Sequence, residues 1–138
     1  QITRLKMNHP GGGSCYCIED NGVKIAYVTD NELYPPYAKN TDFLDFVSFV
    51  KHADLLIHDA QYVIEDMPAK SGWGHSVAEE AIKLALAADV KTLALYSHDP
   101  ERNDAMVDEL VEHANDIITI GGGTTLCVGA KESQTFTF

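Results

Sequence analysis

A chain of 138 residues with 45% hydrophobic and 22% charged side chains has the size and composition of one globular domain with a packed core. No apolar run approaches the ~20 residues of a membrane helix, and no signal-peptide pattern is present, so a soluble, cytoplasmic protein without a membrane partner is expected. The formal net charge of −11, with no Lys/Arg cluster to offset it, repels polyanions and argues against long nucleic acid as a partner.

Ile2 to Met7 alternate like a half-buried strand, followed by Asn8-His9-Pro10 and then Gly11-Gly12-Gly13. Proline beside glycines predicts a tight, exposed backbone that approaches a ligand closely, with His9 on its lip as either a surface residue or a ligand. Ser14–Glu19 and Val23–Thr29 read as a hairpin turned at Asp20-Asn21-Gly22. Cys15 and Cys17 share one strand face and, with Cys127, make an odd count. Reduced core thiols are expected, since so close a pair cannot close without strain and no second Cys pair stands at a zinc spacing. Asp30 ends the second hairpin strand, as an Asx-turn residue, a helix cap or a ligand.

A Pro/Tyr-rich loop spans 31–40. Thr41 or Asp42 then caps a helix to about His52, with Phe43, Leu44, Phe46, Val47 and Val50 inward. Asp54 to Ile57 is a short buried strand ending at His58-Asp59. Residues 60–67 form a short helix or irregular segment, and the loop 69–74 carries Trp73 between two glycines and delivers His75. Ser76 with Glu79 predicts a capping box for a helix burying Val77, Ala81, Leu84, Ala85 and Ala88. Val90 to Tyr96 predicts a strand covered on both faces, stopped at Ser97-His98-Asp99-Pro100. A helix from Asn103 to Ala114, a strand from Ile117 to Ile120, another from Leu126 to Val128 and an edge strand from Thr135 to Phe138 complete the expected elements. The glycines 121–123 precede no helix and do not read as a phosphate loop.

Polar residues thus stand at successive strand ends: His9, Asp30, His58-Asp59 and His98, with His75 just before a helix. Strand ends of one sheet converge, and polar groups beyond their carboxyl ends are where α/β proteins bind ligands. Imidazoles with a carboxylate and no thiolate suit a borderline divalent metal such as zinc, manganese or iron. A bridging carboxylate can hold two such ions roughly 4 Å apart with a hydroxide between them.

The segments NHPGGGSCYCIED, YVTDNE, DLLIHDAQY, GWGHSVAEEA and LALYSHDP, in this order, resemble the metallo-β-lactamase-fold hydrolases, within them the phosphodiesterase and tRNA 3′-processing branch. The resemblance implies an α/β fold: half of an αββα sandwich, a mixed sheet with helices on one face. It implies two divalent metal ions, zinc first, with manganese or iron as the other candidates. His9 resembles a ligand to one metal, Asp30 the bridging carboxylate and His98 a ligand to the other. His75 resembles the general acid at the scissile phosphate, and Asp59 the acid that orients it. The family's His-x-His-x-Asp-His signature is absent, so residues 1–138 read as one domain, the carboxy-terminal half, with the amino-terminal half as its missing partner. That half-fold exposes one sheet face and invites oligomerisation. The resulting expectation is a metal-dependent ester hydrolase acting on a small-molecule or short phosphoester. A lactone or thioester hydrolase on the same centre, and a non-catalytic half-fold binding module, are the competing readings.

Overall fold

The computed structural model describes all residues, 1–138. Six strands make one sheet in sequence order: β1 (Ile2–Lys6), β2 (Ser14–Asp20), β3 (Val23–Val28), β4 (Leu55–Asp59), β5 (Thr92–Tyr96) and β6 (Leu126–Gly129). The first three form an antiparallel meander, and β3 through β6 run parallel. The Asn21-Gly22 turn has positive φ at both residues, as a tight hairpin needs. Each parallel step crosses over through a helix: α1 (Phe43–Val50), α2 (Ala78–Ala87) and α3 (Asp104–Ile120).

All three helices cover one face. Strand alternation puts Cys15, Ala26, Val28, Leu56, Leu93, Leu95 and Cys127 on that face, where they pack with Phe46, Val50, Ala81, Ile82, Leu84 and Ile118. Cys15, Cys17 and Cys127 are free, buried thiols, as expected; burial pushes those of Cys15 and Cys127 up to about 12. On the other face Ile2, Tyr16, Ile18, Tyr27, Tyr96 and Leu126 are between 39% and 69% exposed. The mixed sheet with helices on one face and an uncovered apolar face therefore agrees with the half-sandwich expectation.

Five expected features are corrected. The strand expected over Val90 to Tyr96 is covered by helices on one face only, and Tyr96 is 40% exposed on the other, because nothing in this half-fold packs there. Ser76 is not the cap of α2, whose N-cap is Val77; the Ser76 hydroxyl is buried and spent on Asn31 and Leu33. Residues 117–120 continue α3 and form no strand. The β-branched run mimics a strand, but Ile118 shares a buried face with Ala114. The Asn115 side chain, bonded to the Cys127 backbone in both directions, pins this stretch of α3 beside β6. Leu44 is 74% exposed rather than inward. Thr135–Phe138 pairs with no strand.

Candidate metal and catalytic site

The carboxyl ends of β3, β4 and β5 lie side by side, because Val28 pairs with His58 and Asp59 with Tyr96. Left-handed backbone at Asp30 (φ 52°) and Ser97 (φ 60°) turns the chain sharply off two of these ends. Asp tolerates that conformation better than most residues. Asp59, the last residue of β4, points away from the helices. His58, its neighbour, points into the core. His58 is fully buried, its Nδ1–H donating to the Asp59 carbonyl at 2.7 Å, and desolvation lowers its pKa. It belongs to the packing and not to the rim.

Asp30, Asp59 and His75 come together, with one potential ligand atom from each lying within 4.8 Å of the others. His75 Nδ1–H donates to Asp59 Oδ2 at 2.5 Å, and Asp30 Oδ1 lies 4.0 Å from the same nitrogen. The second Asp59 oxygen accepts from the backbone N–H groups of Gln61 and Ser76. A buried carboxylate satisfied in this way holds one ring nitrogen and leaves His75 Nε2 free. The hydrogen bond to Asp59 raises the His75 pKa against the opposing desolvation, with the charges of Asp59, Asp30 and Glu32 adding to it. The Asp30 carboxylate, 59% exposed, neither caps a helix nor closes an Asx-turn.

His9 stands beside this group, its ring edge-on to His75 with centroids 5.8 Å apart. Its Nδ1 accepts from the Gly11 N–H at 3.0 Å. An imidazole that accepts at Nδ1 carries its proton on Nε2, so His9 as placed offers a donor; to ligate a metal it must release Gly11. Gly74 makes the close approach feasible. A Cβ there would lie 2.3 Å from His9 Cδ2, and its φ is +94°.

His98 does not join the cluster. It lines a groove between β6 and α3 together with Val107, Val111 and Gly129. Both of its ring nitrogens are shielded from solvent and have no partner in the chain. Desolvation lowers its pKa.

Sequence reasoning missed the frame behind these side chains. Asn31, Glu32 and Leu33 tie three loops together. Asn31 Oδ1 accepts from the Asn8 N–H at 2.8 Å and the Asn8 carbonyl accepts from the Glu32 N–H at 2.9 Å, which fixes the His9 loop. The buried Glu32 carboxylate accepts from Gly72 and Gly74 N–H at 2.8 and 3.0 Å, which fixes the loop bearing His75. Ser76 Oγ donates to the Asn31 carbonyl at 2.6 Å. The only hint in the sequence was the run Asp30-Asn31-Glu32, three polar residues directly after an apolar strand.

No protein-family model matches the chain. It is 39% identical over 93 residues to ribonuclease Z of Thermoplasma volcanium, covering 67% of this chain and 27% of that one. It is 36% identical over 89 residues to ribonuclease Z of Saccharolobus islandicus, again covering 27% of the relative. Among solved structures, the metallo-β-lactamase fold protein YhfI of Bacillus subtilis superposes with a TM-score of 0.70 at 22% identity, over 94% of this chain and 45% of that one. The chain is a half of the metallo-β-lactamase fold. The short form of human tRNase Z matches the half-fold with a TM-score of 0.57 at 23% identity, over 72% of the chain and 36% of its own length.

These matches overturn one expectation. Net charge argued against long nucleic acid, yet the relatives of the half-fold are named for cleaving RNA and the human structure for tRNA. The physical reason is that net charge averages over the whole surface. Five exposed acids sit on α3 alone (Asp104, Asp108, Glu109, Glu112 and Asp116), a helix that packs against β6 at the sheet edge. Of these only Asp104 and Asp108 line the His98 groove, so most of that charge lies away from the strand ends, and the chain spans about a quarter of the curated relatives it matches.

Proposed function

We propose that this half-fold contributes one side of a metal-dependent centre that hydrolyses phosphodiester bonds in RNA. The observation that carries the reading is the convergence of Asp30, Asp59 and His75 at the ends of two adjacent parallel strands and the loop before α2. The similarity to ribonuclease Z supports the choice of phosphodiesters over lactones or thioesters.

The donor set of Asp30, Asp59 and His75 suits a borderline divalent cation, since it holds carboxylate and imidazole groups. Asp30 would hold metal, with His9 joining once it gives up Gly11; His98, which lines the groove between β6 and α3, would have to turn back to the rim to serve a second ion. Two ions, zinc before manganese or iron, are the proposed complement. A bound divalent metal would supply positive charge against the phosphate and Lewis acidity. The chain's own contribution lies in proton control. Asp59 keeps the Nδ1 proton of His75 in place, so that His75 in its charged form presents a proton at Nε2 for the departing oxygen. The hydrogen bond to Asp59 that raises its pKa favours that charged form.

The reading also takes residues 1–138 as the carboxy-terminal half of the fold. Its amino-terminal half would lie over the exposed sheet face of Tyr16, Tyr27, Tyr96 and Leu126 and bring the remaining ligands.

The test is turnover of a nitrophenyl phosphodiester and of a short RNA by the protein bearing this chain, with zinc or manganese added. His75→Ala should lower kcat by about 10²- to 10⁴-fold, the usual worth of a positioned acid. His98→Ala should lose activity that excess metal partly restores. Full activity in His98→Ala, or turnover of a lactone in preference to both phosphodiesters, contradicts the proposal.

A further inference from the structure

Next to His75 lies an open cleft of about 360 Å³ whose lining the proton chemistry leaves unused, formed by Tyr62, Lys70, Trp73, Asp99 and Glu101 among others. Trp73 is 58% exposed. The Lys70 ammonium lies 4.4 Å from the Trp73 ring centroid and 5.7 Å from that of Tyr62. The Tyr62 ring in turn stands edge-on to His75, with centroids 5.9 Å apart. An unbroken row therefore runs from an exposed indole, through an ammonium and a buried phenol ring, to the imidazole of the cluster.

We propose that this row is a nucleotide subsite: the base flanking the scissile phosphate stacks on the exposed surface of Trp73 while its phosphate faces Lys70. The inference rests on the phosphodiesterase reading for the place of the scissile bond. Three features point to a nucleotide. An exposed indole in a cleft provides a stacking surface that every base can use. Lys70 is the cation available there, because the Arg102 guanidinium is committed to the Gln61 carbonyl and to Asp66. Asp99 and Glu101 repel phosphate but accept hydrogen bonds from exocyclic amino groups, so the polar edge of a base is welcome where a second phosphate is not. That chemistry ranks adenine, cytosine and guanine above uracil. Trp73 is also two residues before His75, at most ~7 Å along the backbone, a span that one nucleotide bridges.

Trp73 is the single tryptophan of these 138 residues, and the part of the emission lost in Trp73→Phe reports on the subsite without any turnover. Titration with adenosine 5′-monophosphate should quench the emission saturably, and ribose 5-phosphate should not. By calorimetry, Trp73→Leu should weaken binding of the nucleotide about tenfold or more, with Trp73→Phe between it and the parent, as loss of one base–aromatic stack predicts. Lys70→Ala should weaken it as well, and less so in high salt. Absence of quenching, equal quenching by ribose 5-phosphate, or parental affinity in a folded Trp73→Leu protein overturns the subsite. Phosphodiester turnover that persists alongside any of these results leaves the catalytic reading standing. Nucleotide binding without turnover supports the subsite and removes the catalytic reading instead.

Discussion

Replacing Gly74 by Ala puts one methyl group between the two loops that carry His9 and His75. The added Cβ would lie 2.3 Å from His9 Cδ2, 2.8 Å from His9 Nε2 and 2.7 Å from Pro10 Cδ. Ordinary contact needs about 1 Å more, so the His9 ring or the 72–75 loop has to move. The φ of +94° adds backbone strain of about 1–2 kcal/mol for an L-residue. Forcing a methyl into a filled space typically costs a further ~1–3 kcal/mol. Gly12 isolates the two contributions: its φ is +73°, but no heavy atom lies within 4 Å of a Cβ there, so Gly12→Ala carries the backbone strain alone. Urea unfolding followed by Trp73 emission should therefore rank the parent above Gly12→Ala, and Gly12→Ala above Gly74→Ala by about 1–3 kcal/mol. Imidazole resonances of His9 and His75 should shift in Gly74→Ala only. Equal midpoints for the two alanine proteins, with unmoved imidazole signals, would refute the packing of His9 against this loop.

Two more outcomes follow from the buried acids. Asp59→Asn keeps an oxygen for the Gln61 and Ser76 amides but turns an amide N–H₂ toward His75 Nδ1. The His75 pKa should then fall, the charged imidazole should vanish at lower pH, and any basic limb of the activity profile should move down with it; an NMR titration unchanged from the parent sinks the pairing. Glu80 gives a stability prediction. Burial lifts its carboxyl from the ordinary value of 4.5 to about 7, so the folded state holds a proton that the unfolded chain has released. Its favourable contribution is complete below pH 4.5 and is lost as pH rises through about 7. Glu80→Gln should flatten that slope and stabilise the protein at pH 8 by about 1–2 kcal/mol, after allowance for the part of the side chain that water still screens. A parental slope between pH 5 and 8 in Glu80→Gln counts against the assignment.

Much of this molecule was legible in the residues. Alternation put Cys15 and Cys17 on one strand face, Asn21-Gly22 announced the hairpin, and the apolar stretches before Asp30, Asp59 and His98 marked three strand ends, which prove to be parallel neighbours. Such features are set by neighbours within a few positions, where hydrophobic period and turn chemistry suffice. Competition for partners across the chain had to be seen in three dimensions. Ser76 looked like a helix cap, but Asn31 and Leu33 claim its hydroxyl from more than forty positions away. Ile117 to Ile120 looked like a strand until Ala114 and Ile118 buried one side of a helix. The pairing of Asp59 with His75, the Glu32 clamp on Gly72 and Gly74, and the outward turn of His98 toward α3 were likewise decided by packing. A polar side chain takes whichever partner the fold brings within 3 Å, and only the closed sheet with its helices in place determines which partner that is.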